Sequence, residues 1–214
     1  LSSGTEMKKQ LPAEVVMSFP EPKEKLEGIS SLSKDGGGHN DGSQIGLERG
    51  VWDQFEGAAR QLSTTVYTSS FESDFDSWTT DTFNRNSGTT SSGSTGPSSA
   101  YDGSYYVYAE TSSPNFPGVE FSMYRDFGDN VGSVSFEYSM YGGTMGTALL
   151  QGSDDGGSTY TTLWSKSGNQ GDAWYSADVT ISSGYPQWLK FVYTSGSDYT
   201  GDFAVDAVEG VAGS

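Results

Sequence analysis

The chain has 214 residues, 28 of them acidic and 11 basic, which gives a formal net charge of −17. This charge repels phosphates and so excludes nucleic acid as a partner, whereas the many carboxylates offer oxygen ligands to a hard cation such as Ca²⁺. The chain has no cysteine, one histidine and no apolar run near the roughly 18 residues of a membrane span, so disulfides, zinc–thiolate sites and membrane insertion are not expected.

Residues 1–70 differ in composition from the rest and contain only four aromatic residues. The stretch "FPEPKEKLEG" is typical of an extended segment, and "KDGGGHNDG" is typical of a flexible linker. Between the linker and the rest of the chain, residues 47–62 have an apolar helical face made of Leu47, Val51, Phe55, Ala58, Ala59 and Leu62. We therefore predict an extended N-terminal arm or linker over residues 1–70 with one short amphipathic helix near 47–62. That helix packs on its own domain or docks on a partner.

Residues 71–214 are predicted to be all β, because apolar and polar residues alternate with a period of two. In "GSVSFEYSMYG", for example, Val134, Phe136, Tyr138 and Met140 face one way and serines and Glu137 face the other. Eight such segments follow one another: "SYYVYAE", "GVEFSMYRDF", "GSVSFEYSMYG", "GTALLQG", "YTTLWSK", "WYSADVTIS", "PQWLKFVYTSG" and "DFAVDAVEG". This succession predicts a jelly-roll β-sandwich of two antiparallel sheets.

The glycines between these segments are predicted to form turns. No G-x-G-x-x-G motif opens a helix, and no lysine stands where a phosphate-binding loop would need it. The stretch "SDDGGSTY", Ser153 to Tyr160, is similar to an Asp box, and its Asp-Gly and Gly-Gly steps suit a tight hairpin. The Ser/Thr/Gly-rich stretch from Asn86 to Ser99 is predicted to be a long surface loop.

Five segments of the second part, in order, resemble the MAM family, which is named for meprin, neuropilin and receptor tyrosine phosphatase mu. They are "FESDFDSW", "TGPSSAYDGSYYVYAET", "VSFEYSMYGGTMGTALLQ", "LWSKSGNQGDAW" and "GDFAVDAVEG". The resemblance covers residues 71–210. It implies a jelly-roll sandwich that serves as a non-catalytic extracellular module for adhesion, oligomerisation or recognition.

The chain departs from the family pattern at three points. It lacks the paired cysteines of animal members, so it is more similar to bacterial or viral versions built without disulfides. Ala100 stands where an acidic residue usually follows Gly-Pro, with Asp102 two residues further on, and Ala207 replaces the second acid of the closing pair. Both changes affect the positions that resemble the family's cation site.

A structural Ca²⁺ site is the main local hypothesis. Residues 71–214 contain only four basic residues, so acidic residues placed within or beside apolar strands need another way to be neutralised. The candidate ligands are Glu72, Glu110 and Asp206, joined by Asp74, Asp102 or Asp202. Bound Ca²⁺ would hold the two sheets together. The alternative is that these carboxylates accept backbone hydrogen bonds or pair with an arginine.

Catalysis is not predicted. The only histidine, His39, lies in the glycine-rich linker, so a nucleophilic triad has no base, and no spacing singles out a pair of carboxylates for glycoside hydrolysis. The aromatic residues Trp78, Trp164, Trp174, Trp188, Tyr105, Tyr106 and Tyr108 either fill the core, which the pattern favours for most of them, or form a surface on which sugars stack.

Three functions remain open. The first is a non-catalytic adhesion or recognition module on a cell or particle surface, which contacts other protein subunits or surface glycans through its loops. The second is a structural or decoration protein of a larger assembly such as a virion, anchored through residues 1–70. The lack of disulfides and of an initial methionine favours it. The third is a carbohydrate-binding or carbohydrate-active domain. The expected location is extracellular, at a cell or virion surface.

Overall fold

The computed structural model describes residues 65–184 and 186–213, and these residues form eleven β-strands. The strands are β1 (Val66–Ser69), β2 (Thr79–Thr80), β3 (Asn84–Ser87), β4 (Tyr105–Ala109), β5 (Glu120–Asp126), β6 (Val131–Met140), β7 (Thr147–Ser153), β8 (Thr161–Ser167), β9 (Trp174–Thr180), β10 (Trp188–Thr194) and β11 (Phe203–Ala212). The helix predicted near 47–62 lies outside the described residues. Within the described ranges, no helix has the length and apolarity that a membrane span requires.

The strands form two sheets in which every pair is antiparallel. The first sheet has the order β3-β4-β11-β6-β9, and β1 pairs with the second half of β11. The second sheet has the order β2-β5-β10-β7-β8. The predicted all-β fold with two antiparallel sheets is thereby confirmed, and each of the eight predicted segments overlaps most of one of the strands β4 to β11.

The two sheets pack through the apolar faces that the alternation predicts. Phe136 and its neighbours at every second position of β6 are buried, as are Leu189, Phe191 and Tyr193 of β10. The ring of Phe136 meets the ring of Phe191 edge to face with centroids 4.9 Å apart, and Trp78 lies against the same ring of Phe191 at 5.4 Å. Because aromatic side chains bury a large area and their edge-to-face contacts add attraction, these rings provide much of the stabilisation between the sheets.

The sandwich begins earlier than residue 71. Strand β1 pairs with β11 from Val66↔Val211 to Ser69↔Val208, so these four residues belong to the first sheet. The hydroxyl of Ser69 is buried and accepts a hydrogen bond from the indole N–H of Trp78 at 3.0 Å. The strand that the sequence assigned to the arm is therefore part of the domain, and long-range pairing rather than local alternation creates it.

The loop between β3 and β4 crosses the outer side of the first sheet. It covers a second apolar cluster, formed by Tyr106, Tyr108 and Ala204 with the partly buried Trp174 against them. The loop is fixed by a backbone hydrogen bond from Gly96 to the carbonyl of Tyr141 and by one from the Trp174 indole N–H to the carbonyl of Ser99. The long Ser/Thr-rich loop is thus tied to the domain at several points.

Candidate cation ligands and recognition surfaces

Asp206 is fully buried in β11, and its carboxylate accepts hydrogen bonds from backbone N–H groups. Its Oδ2 accepts hydrogen bonds from the N–H groups of Tyr101 at 2.9 Å and Asp102 at 3.0 Å, and its Oδ1 accepts one from Ala207 at 2.7 Å. Burial raises the pKa of Asp206 to about 6, and the nearby Asp102 carboxylate adds to the rise, although the three N–H donors oppose it. Ala207 has a φ of 46°, and the pairing of β11 with β6 shifts register just after Asp206.

Glu72 holds the same segment from its other end. Its Oε1 accepts hydrogen bonds from the N–H groups of Ser104 and Tyr105, both at 2.8 Å, and these bonds lower the pKa of Glu72. A side chain at Gly103 would clash with the Glu72 carboxylate, and Gly103 also has a φ of 60°. Glu72 and Asp206 together therefore fix the turn over residues 101–105.

Asp202 and Glu110 lie around Thr111. Asp202 is fully buried, and its Oδ1 accepts hydrogen bonds from the Thr111 N–H at 2.9 Å and hydroxyl at 3.0 Å. Its Oδ2 is buried without a hydrogen-bond partner among the described residues. Burial raises the pKa of Asp202, and the charge of Glu110 adds to this effect. Glu110 itself accepts hydrogen bonds from the N–H and hydroxyl of Ser112.

The remaining candidate ligands do not complete a cation site. Asp74 accepts a hydrogen bond from the N–H of Asp76, and the side chain of Asp102 is exposed. Within residues 65–184 and 186–213, no three acidic or histidine side chains are close enough to hold a metal ion. N–H donors already point at Oε1 of Glu72 and at both carboxylate oxygens of Asp206. The residues as placed do not fit a Ca²⁺ ion, and Ca²⁺ binding stays a prediction from the sequence.

One end of the sandwich carries four loops that are tied to one another, here called the rim: residues 110–119, 141–146, 168–173 and 195–202. Thr144 donates its N–H to the carbonyl of Thr200 and its hydroxyl to the carbonyl of Asp198, both at 3.0 Å. The Thr111 hydroxyl lies 2.9 Å from the carbonyl of Tyr199 and shares its single proton between this oxygen and Oδ1 of Asp202. The Tyr199 side chain is 45% exposed, so a large aromatic group stands in solvent on a fixed backbone.

The aromatic residues that the sequence singled out divide between core and surface. Trp78 is buried, Tyr106 and Tyr108 fill the second cluster, and Trp164 packs edge to face on Phe136 at 5.1 Å. Trp188 is different, because it lies half-buried on the outer face of the second sheet. Its ring stacks on Tyr124 with centroids 5.9 Å apart and planes at 27°. Nothing in the sequence marks Tyr124, because its partner Trp188 lies on a different strand.

The family of the chain follows from comparison with known proteins. Residues 55–212 match the family model described as MAM domain, meprin/A5/mu, and the chain belongs to this family. A relative from Rattus norvegicus, MAM domain-containing glycosylphosphatidylinositol anchor protein 1, is 36% identical over an alignment of 121 residues that covers 53% of this chain and 13% of that protein. The chain thus spans a small part of the curated relatives it matches.

Two solved structures share the fold. The K1 cleaved adhesin domain of Lys-gingipain from Porphyromonas gingivalis W83 has a TM-score of 0.54 at 17% identity, over 70% of this chain and 99% of that domain. The K2 cleaved adhesin domain of Lys-gingipain has a TM-score of 0.53 at 16% identity, over 68% of this chain and 99% of that domain. At these identities the likeness concerns the β-sandwich alone.

Proposed function

We propose that this chain is a non-catalytic adhesion or recognition module that acts outside the cell, at the surface of a cell or particle. The observation that carries the proposal is membership of the MAM family over residues 55–212. The relative from Rattus norvegicus is named as a glycosylphosphatidylinositol anchor protein, which supports a cell-surface setting.

The rim is the surface that suits this role. Its loops are linked by hydrogen bonds between Thr144, Asp198 and Thr200, so little conformational entropy is lost when a partner binds. Tyr199 supplies an exposed aromatic group, the kind of side chain that dominates the energy of many interfaces. The partners are protein subunits or glycans carried on another surface.

The test is adhesion of beads coated with the full chain to cultured cells and to one another. We expect Tyr199→Ala to weaken adhesion about tenfold or more. Tyr101→Ala is the matched control, because Tyr101 is 55% exposed but lies beside Trp174 on the outer side of the first sheet. Adhesion that is absent, or that Tyr199→Ala and Tyr101→Ala affect equally, would contradict the proposal.

The decoration protein remains the alternative. In that case residues 1–70, most of which lie outside the described ranges, anchor the chain in a larger assembly, and the sandwich is only displayed. The two functions differ in which part of the chain is needed for attachment, and a deletion separates them.

A further inference from the structure

We infer that the outer face of the second sheet carries a binding site for neutral saccharides, built from Tyr124, Tyr160, Trp188 and Lys190. This inference rests on the proposed recognition function and adds a surface separate from the rim, with a ligand class of its own. It also gives a role to the Asp-box hairpin, Ser153–Tyr160, beyond joining two strands.

Strand alternation places Trp188 and Lys190 on this face. Leu189, Phe191 and Tyr193 of β10 are fully buried between the sheets, so the residues between them point outward. Lys190 lies between Tyr124 of β5 and Gln151 of β7 in the register of the sheet. Three neighbouring strands therefore present an aromatic ring, an ammonium group and an amide side by side.

The hairpin brings the third ring to this face. Lys190 Nζ lies 5.5 Å from the centroid of the Tyr160 ring, and a side chain at Gly157 would come within 3.0 Å of the Tyr160 hydroxyl and 3.6 Å of the Trp188 ring. Gly157 has a φ of 81° and packs between these two residues. The hairpin thus borders the aromatic cluster on one side, and Tyr124, stacked on Trp188, borders it on another.

Asp155 fixes the shape of the hairpin. Its Oδ1 accepts hydrogen bonds from the Ser153 hydroxyl at 2.7 Å, the Ser158 N–H at 3.0 Å and the Thr159 N–H at 2.9 Å. Its Oδ2 accepts one from the Thr159 hydroxyl at 2.7 Å. Four hydrogen bonds to one carboxylate make the loop rigid, so Tyr160 and Gly157 stay in place without a ligand.

The charges and polar groups of the face select the ligand class. Residues 71–214 carry 18 acidic and four basic residues, so a polyanion is repelled at long range and meets a single lysine on this face. Aromatic rings pack against the apolar C–H faces of sugar rings. Lys190 donates hydrogen bonds, the Gln151 amide donates and accepts, and the carboxylate of Asp126, opposite Trp188 in the register, accepts. This mixture suits the hydroxyl groups of an uncharged saccharide.

The test is a titration of the ¹⁵N-labelled full chain with cello-, manno-, xylo- and chitohexaose, followed by the indole N–H signals of its tryptophans. The Trp188 signal is assigned from the Trp188→Phe variant. We expect at least one hexasaccharide to shift this signal and Trp188→Ala to weaken binding about tenfold or more. Asp155→Ala should also weaken binding, because the hairpin loses its hydrogen bonds. Trp174→Ala is the matched control, since Trp174 is a half-buried tryptophan on the other sheet, and it should leave the affinity unchanged.

Several results would overturn the inference. The first is that no hexasaccharide shifts the Trp188 signal at millimolar concentration, and the second is that Trp188→Ala leaves saccharide binding intact. The third is that heparin or a protein ligand binds at this face while no neutral saccharide competes with it. Thermal unfolding of each variant, with Tyr124→Ala as a second variant of the cluster, separates loss of the site from loss of the fold. If the beads still adhere through Tyr199 while no saccharide binds, this inference fails and the proposed function stands.

Discussion

The stability of the domain should rise as the pH falls from 7.5 to 4.5, because Asp206 is buried with its pKa raised to about 6 from an ordinary value of 3.8. A group whose pKa is raised by folding contributes stability that is fully present below 3.8 and is lost as the pH rises through 6. At about 1.36 kcal/mol per pKa unit, the difference between the folded and unfolded pKa of Asp206 corresponds to at most about 3 kcal/mol of stability, and solvent screening reduces this energy. The charge that acts on this carboxyl is that of Asp102, on the turn that Asp206 binds, and Glu137 lies opposite Asp206 in the register of β6.

The assay is urea unfolding of the full chain at several pH values in the presence of EDTA, for the wild type and for Asp206→Asn. The variant should lose part of the rise in the free energy of unfolding between pH 7.5 and 4.5, and the part that stays comes from Asp202, whose pKa burial also raises. It should also be less stable than the wild type at pH 4.5 by about 1–3 kcal/mol, because an amide nitrogen cannot accept the N–H of Ala207 or Tyr101. Lower pH also reduces repulsion among the many acids, so the exposed Asp178→Asn is the control and should keep the wild-type slope. An Asp206→Asn variant with the same slope as the wild type would refute this reasoning.

Three further predictions concern the core, the cation hypothesis and the hairpin. Phe191 has a fully buried ring, so Phe191→Ala should lower the free energy of unfolding by about 3–5 kcal/mol and Phe191→Leu by clearly less. Urea unfolding measures both values. A loss below about 1 kcal/mol for Phe191→Ala would contradict the packing described. The placement of the carboxylates predicts that neither Ca²⁺ nor EDTA changes the melting temperature, whereas a rise of several degrees with Ca²⁺ would mean that the ligands assemble after all. The pKa of Asp155 is lowered to about 2, so the stabilisation of the hairpin by its carboxylate is present above pH 3.8 and is lost as the pH falls through 2. At pH 6, the amide hydrogens of Ser158 and Thr159 should therefore exchange faster in Asp155→Ala than in the wild type. Equal exchange rates in the two proteins would contradict the role of Asp155.

The strands that the sequence predicts are those whose side chains alternate between core and solvent. Strand β6 is an example, because its ten residues repeat the pattern often enough to be recognised. The strands that were missed, β1, β2 and β3, have two to four residues, and β3 reads "NRNS" with no apolar position. Their pairing partners lie far away in the sequence, such as Val66 and Val211, so only the folded chain reveals them.

The acidic residues show the same limit. The sequence points to Asp202 and Asp206 as charges within the apolar part of the chain, and both are fully buried. It does not reveal what neutralises them, because the donors are backbone N–H groups about 100 residues earlier, at Tyr101 for Asp206 and at Thr111 for Asp202. Composition and periodicity carry no information on these long-range contacts. The sequence alone therefore cannot distinguish a bound cation from backbone hydrogen bonds as the partner of these carboxylates.

The Trp188 cluster was partly visible in the sequence. The sequence marks Trp188 as one of several aromatic residues and the Asp box as a hairpin, but nothing in it links the two. The structure joins them because Gly157 of the hairpin packs against the Trp188 ring, and Tyr124 of β5 stacks on that ring. Bringing these residues together requires the pairing register of three strands, which cannot be read from the alternation of residues within one strand.

Attachment in the bead assay after deletion of residues 1–54 tests most directly whether the sandwich itself recognises the partner. The family match begins at residue 55, so the deletion leaves the domain intact. We expect the shortened chain to adhere as strongly as the full chain and to keep its sensitivity to Tyr199→Ala. Loss of attachment with an unchanged melting temperature would instead assign that role to the N-terminal residues and contradict a recognition function for the sandwich.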